Sequence, residues 1–130
     1  MAQVKTYRDL IVWQKSMALV TEIYRLTRAF PREEIYGLTS QIRRSAVSIP
    51  SNICEGYARN SDGDFARFLR IACGSLYELQ TQVEIAGNLQ YLPDKELQNV
   101  SGQALEIEKM LSSLIGKINN TTGRNHGTQS

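Results

Sequence analysis

One histidine and two cysteines are all the chain has for metal binding or soft nucleophilic chemistry. The cysteines, Cys54 and Cys73, form no CxxC pair and have no nearby histidines to complete a metal set. Isolated in apolar patterns, they read as small hydrophobes of a reducing, cytoplasmic setting. The histidine, His126, falls in a polar terminal stretch, where a solvated residue is the plain reading. No HExxH, no Glu-x-x-His pair of the di-iron bundles and no P-loop occurs, and the glycines lack phosphate-loop spacing. Ser61-Asp62-Gly63-Asp64 lacks the further ligands of a calcium loop and reads as a helix cap. No apolar run approaches the length of a membrane span, and there is no signal peptide. These absences exclude most hydrolytic, metal-dependent and membrane classes, and imply neither cofactor nor metal.

The 130 residues suit one domain with a real core, and 42% hydrophobic against 22% charged residues is a globular balance. The net charge of +2 is small but uneven. Residues 1–70 hold 11 Lys/Arg against 7 Asp/Glu, or +4, and residues 71–130 hold 4 against 6, or −2. The basic half allows a polyanion partner.

No segment alternates like a strand; four repeat apolar residues at helical spacing. The first runs from Asp9, as N-cap, to about Arg28, with Leu10, Trp13, Met17, Val20 and Tyr24 as its apolar stripe. Phe30-Pro31 ends it. The second runs from about Glu33 to Ala58 with Ile35, Leu38, Ile42, Ala46, Ile49, Ile53 and Tyr57 inward. The third, about Asp62–Leu89, carries a heptad seam of Phe65, Leu69, Ala72, Leu76, Leu79, Val83 and Ala86. The fourth, about Asp94–Ile118, carries Leu97, Val100, Ala104, Ile107, Leu111, Leu114 and Ile118. Short connections between four such helices predict an all-α, antiparallel up-down-up-down four-helix bundle over residues 1–118, with a disordered polar tail over 119–130.

The second helix carries a further stripe. Gln41, Ser45, Ser48, Asn52, Glu55 and Arg59 fall within roughly 40° either side of one direction at 100° per residue. A solvated face is normally rich in Lys and Glu; small Ser and Asn instead suit close approach and directional hydrogen bonds. Pro50 removes a ladder donor and crowds the Ala46 carbonyl, so a bend is expected there. The helix is therefore expected to pack on two sides, its polar side meeting a neighbouring subunit or a buried hydrogen-bond network. On the third helix, Gly74, Ser75, Glu78 and Gln82 make a related stripe. Gly74 suggests a close approach, and Glu78 could pair with Arg43 or Arg44.

Three sections of the chain, taken in order, resemble one family. They are YRDLIVWQK at residues 7–15, FP at 30–31 with YGLTSQIRRSA at 36–46 and SIPSNICEG at 48–56, and FLRIACGSLYEL at 68–79. Over residues 6–118 the chain resembles the bacterial four-helix-bundle proteins of the 23S rRNA intervening-sequence family. Cys54 and Cys73 depart from the Ala or other small residue often found there. The resemblance implies a homopentamer with no known catalytic activity. A more distant one, to accessory proteins of diversity-generating retroelements, implies nucleic acid or a reverse transcriptase as partner. The expected function is a non-enzymatic oligomer binding RNA or DNA through Arg43, Arg44, Arg59, Arg67 and Arg70. The alternative is a protein-interaction scaffold without direct nucleic-acid binding. An enzyme using Glu55 and Glu78 at subunit boundaries is the remaining reading, with no nucleophile-base set to support it.

Overall fold

The computed structural model describes residues 3–129, with side chains through Asn120. Four α-helices pack as a bundle: α1 (Ile11–Thr27), α2 (Leu38–Tyr57), α3 (Asp62–Asn88) and α4 (Asp94–Gln129). Two 3-10 turns, Tyr7–Asp9 and Arg32–Glu34, precede α1 and α2. No strand occurs among the described residues. Residues 58–61 and 89–93 are the whole of the last two connections, and connections this short join antiparallel neighbours. α2 packs most extensively on α3, and α3 on α4.

The core is one cluster drawn from all four helices. Ile42, Ala46, Ile49 and Ile53 of α2 are fully buried, as are Leu69, Ala72, Leu76 and Leu79 of α3. On α4, Ala104 and Leu111 are fully buried, and Val100 and Ile107 almost so. The sequence stripes of α3 and α4 thus face inward as their heptad spacing requires.

α1 differs from expectation. Its buried face is Val12, Ser16, Leu19, Ile23 and Leu26. The stripe Leu10, Trp13, Met17, Val20 and Tyr24 lies about a third of a turn away and is only partly covered, Met17 being 41% and Tyr24 39% exposed. Two apolar faces compete on this helix, and the one that wins includes a serine. Ser16 is buried because its hydroxyl donates to the Val12 carbonyl at 2.7 Å. Asp9 does not cap α1, whose N-cap is Leu10. Its carboxylate instead accepts the N–H groups of Lys5 (2.8 Å) and Thr6 (3.1 Å), closing a capping box on the first 3-10 turn.

α2 begins five residues later than its apolar spacing suggests. The 3-10 turn Arg32–Glu34 and a further turn over 35–37 take up this stretch, leaving Ile35 51% and Tyr36 97% exposed. Pro50 lies inside α2, buried. Beside it the Ser51 hydroxyl donates to the Val47 carbonyl (2.8 Å) and the Asn52 amide to the Ser48 carbonyl (2.8 Å), so side chains supplement the ladder where proline interrupts it.

α3 starts at Ser61, whose hydroxyl accepts the Asp64 N–H at 3.1 Å. It ends in a Schellman motif: Gln90 is left-handed at φ 63°, Tyr91 N–H reaches the Ala86 carbonyl (2.9 Å) and Gln90 N–H the Gly87 carbonyl (3.0 Å). α4 runs past Ile118, where its apolar stripe stops. The expected tail over 119–130, with His126, falls mainly on residues 121–130, whose side chains lie outside the described residues.

Candidate functional site

The polar stripe of α2 faces α3 of the same chain. Ser45 is 4% exposed, and its hydroxyl lies 2.9 Å from both Glu78 Oε1 and Gln82 Oε1. One hydroxyl proton serves these two acceptors, and the charged carboxylate is the stronger. A turn further on, Ser48 and Ser75 meet hydroxyl to hydroxyl at 2.8 Å. Asn52 Nδ2 donates to Ser48 Oγ at 2.9 Å, which leaves the Ser48 proton for Ser75. Ser45, Glu78 and Gln82 form one hydrogen-bonded group and Ser48, Asn52 and Ser75 a second, one after the other along the α2–α3 seam. Small residues on α2 let the helices approach, and the polar atoms so buried are satisfied mutually.

The ends of the stripe lie outside the seam. Gln41 is exposed, and Glu55 pairs with Arg59 at 3.0 Å on the surface. Glu78 has Ser45 rather than Arg43 or Arg44 as its partner, because Arg43 turns the other way. Its Nε donates to Thr27 Oγ1 at 2.8 Å and its guanidinium lies 4.5 Å from the Tyr24 ring centroid. Gly74 meets no close neighbour: a Cβ there would find nothing within 4 Å. The close approach is at Gly56, where a Cβ would come 2.6 Å from Phe68 Cβ and 3.3 Å from the Phe65 carbonyl oxygen.

The five arginines divide into two groups. Arg59 and Arg67 both lie over the Phe68 ring, 4.8 and 4.6 Å from its centroid, where α2 turns into α3. Arg70 lies one turn beyond Arg67 and reaches Asn119 Oδ1 at 3.4 Å. Arg43 and Arg44 sit near the start of α2; Arg44 is about 22 Å along the axis from Arg59 at 1.5 Å per residue. The two groups cannot close on one phosphate.

A third feature was not singled out by sequence. Tyr7, Trp13, Met17 and Val20 face Val47, Pro50 and Cys54 across a groove of about 370 Å³ between α1 and α2. Tyr7 packs edge-on to Trp13 at 5.1 Å, with Arg8 over both rings. The signal was present in the second apolar stripe of α1.

Two tyrosines and one cysteine have shifted acidities. Tyr77 is held above its usual range by its hydrogen bond to Glu108 (2.9 Å), and Tyr91 by its hydrogen bond to Glu34 (2.9 Å). Burial pushes the Cys73 thiol up, away from the reactive thiolate. Among the described residues no group of three or more His, Cys, Asp or Glu converges on a point, and no helix is long and apolar enough to cross a membrane.

Residues 8–113 match the family described as 23S rRNA-intervening sequence protein. The chain belongs to that family. A solved structure, that of a protein of unknown function from the S23 ribosomal protein family, from Bacteroides thetaiotaomicron, superposes with a TM-score of 0.76 at 27% identity, covering 81% of this chain and 98% of that one. No curated protein matches. For this member of the 23S rRNA-intervening sequence protein family, the matched region takes in the whole α2–α3 seam, all five arginines and all of the apolar groove but Tyr7.

Proposed function

We propose that this protein is a non-enzymatic helical bundle that works as a homo-oligomer, a pentamer, and binds RNA or DNA through arginines of α2 and α3. The observation that carries this is the Arg59–Phe68–Arg67 stack. Two guanidinium groups lie over one ring, a contact that restrains them while leaving N–H groups for phosphate oxygens. Their carboxylate partners are weak competitors: Arg59–Glu55 (3.0 Å) and Arg67–Asp64 (3.7 Å) are exposed pairs. Arg70 extends the patch along α3, and several subunits multiply its modest charge. The family's name ties its members to insertions in ribosomal RNA, which agrees with a nucleic-acid partner.

Filter binding of a structured RNA across a salt series tests it. Retention at low ionic strength should fall as salt rises, and Arg59→Ala with Arg67→Ala should flatten that dependence. Absence of retention at low salt overturns it.

The groove between α1 and α2 favours a second role, a scaffold for a protein such as a polymerase or reverse transcriptase. Partners captured with the protein and retained after nuclease treatment would support this role over the first.

A further inference from the structure

The arginine pair at the start of α2 has a pocket of its own. It is an open cleft of about 390 Å³ where the end of α1 meets α2. Thr39, Ser40, Arg43 and Arg44 make its polar side, Tyr24 and Ile35 an apolar one, and no carboxylate lines it. The neighbouring Glu34 is already engaged, accepting the Leu38 N–H (3.1 Å) and the Tyr91 hydroxyl (2.9 Å).

Three of the polar groups are uncommitted. Thr39 is 4% exposed, yet its hydroxyl has no partner among the described residues. Its oxygen is not sealed from solvent, so it opens onto the pocket as a free donor and acceptor. Ser40 and Arg44 likewise have no hydrogen-bond or ion-pair partner among the described residues. Arg43 is pre-set: Nε is held by Thr27 and the plane by the Tyr24 ring, so its outer N–H groups are oriented before anything binds. The first turn of α2 adds the positive end of a 20-residue helix.

We propose that this pocket binds the phosphate of a phosphate monoester, with the ester's organic group against Tyr24 and Ile35. Two guanidiniums match the charge of about −1.5 to −2 that a monoester carries at neutral pH better than the single charge of a carboxylate or a diester. The volume admits a phosphate and a small organic group. The ester could be a free nucleotide or sugar phosphate, or the 5′-phosphate end of a nucleic acid. This site is separate from the Arg59–Arg67 patch and does not depend on it.

Titration of the full chain with AMP, followed by NMR, tests it. The Thr39 and Ser40 amides and the Arg43 Nε–H should shift, and adenosine should bind at least about tenfold more weakly than AMP. Arg44 is exposed, so Arg44→Ala should fold normally by circular dichroism and lose about tenfold or more in AMP affinity, with Arg44→Lys recovering only part. Equal binding of adenosine, shifts confined to the Arg59–Arg67 patch, or unchanged affinity in Arg44→Ala would overturn the site. Arg59→Ala with Arg67→Ala should leave AMP binding intact even where RNA retention is lost. A short RNA with a 5′-phosphate that outcompetes its 5′-hydroxyl form supports the site and assigns it to strand ends; equal competition, with AMP bound, supports it for small esters.

Discussion

Ser48 of α2 and Ser75 of α3 hydrogen-bond across the seam at 2.8 Å, with Asn52 donating to the same Ser48 oxygen. A small-polar stripe on a helix surface can thus be an inner face, provided the facing helix carries a matching stripe.

Removing one partner strands the other. Ser48→Ala should destabilise by about 1–2 kcal/mol in urea unfolding, since both Ser75 and Asn52 lose a contact. Ser75→Ala should cost less, and the double substitution less than the sum of the two. Additive costs would mean the hydroxyls are not coupled. Asn52→Leu should lower stability without changing the mass seen by light scattering; a changed mass would put a subunit boundary on this stripe.

Gly56 of α2 and Gly74 of α3 should respond with opposite sign. Gly56→Ala forces a Cβ within 2.6 Å of Phe68 Cβ and should cost about 1–3 kcal/mol. Gly74→Ala meets open space and should stabilise by about 0.5–1 kcal/mol. Matched urea melts of the two variants decide it.

Gln90 holds the left-handed position after α3 without glycine's freedom. Gln90→Gly should stabilise by about 0.5–1 kcal/mol. Gln90→Val should destabilise, since a β-branched residue strains this region most.

Two of the six tyrosines should ionise late in an ultraviolet titration, above the ordinary 10.0. The cause is a hydrogen bond that the neutral phenol donates to a carboxylate, Glu108 for Tyr77 and Glu34 for Tyr91. A folded-state pKa above the unfolded one means this stabilisation is fully present below pH 10 and is lost as pH rises through the folded value. Tyr91→Phe should remove one late step; an unchanged titration curve would contradict the Glu34 contact.

The long helices were legible because α3 and α4 each carry one apolar stripe at heptad spacing, and their bounds at Asp62 and Asp94 follow local start signals. α1 was not, because it carries two stripes. Periodicity ranks Trp13, Met17 and Tyr24 by hydrophobicity, and cannot foresee that Ser16 will satisfy itself on Val12 and enter the core. The pairing of Glu78 was misread for a related reason. Charge suggests an arginine, but the orientation of Arg43 is set by Thr27 and Tyr24, which lie far away in sequence. The separation of the arginines into two groups follows only from the length of α2.

Trp13 is the single tryptophan, and it sits on the wall of the α1–α2 groove against Tyr7. The chain therefore has a built-in optical reporter at an exposed apolar surface. Dilution that uncovers the groove would redden the emission, and a partner seated there would move it to the blue, so one fluorescence titration follows occupancy of that wall without any label.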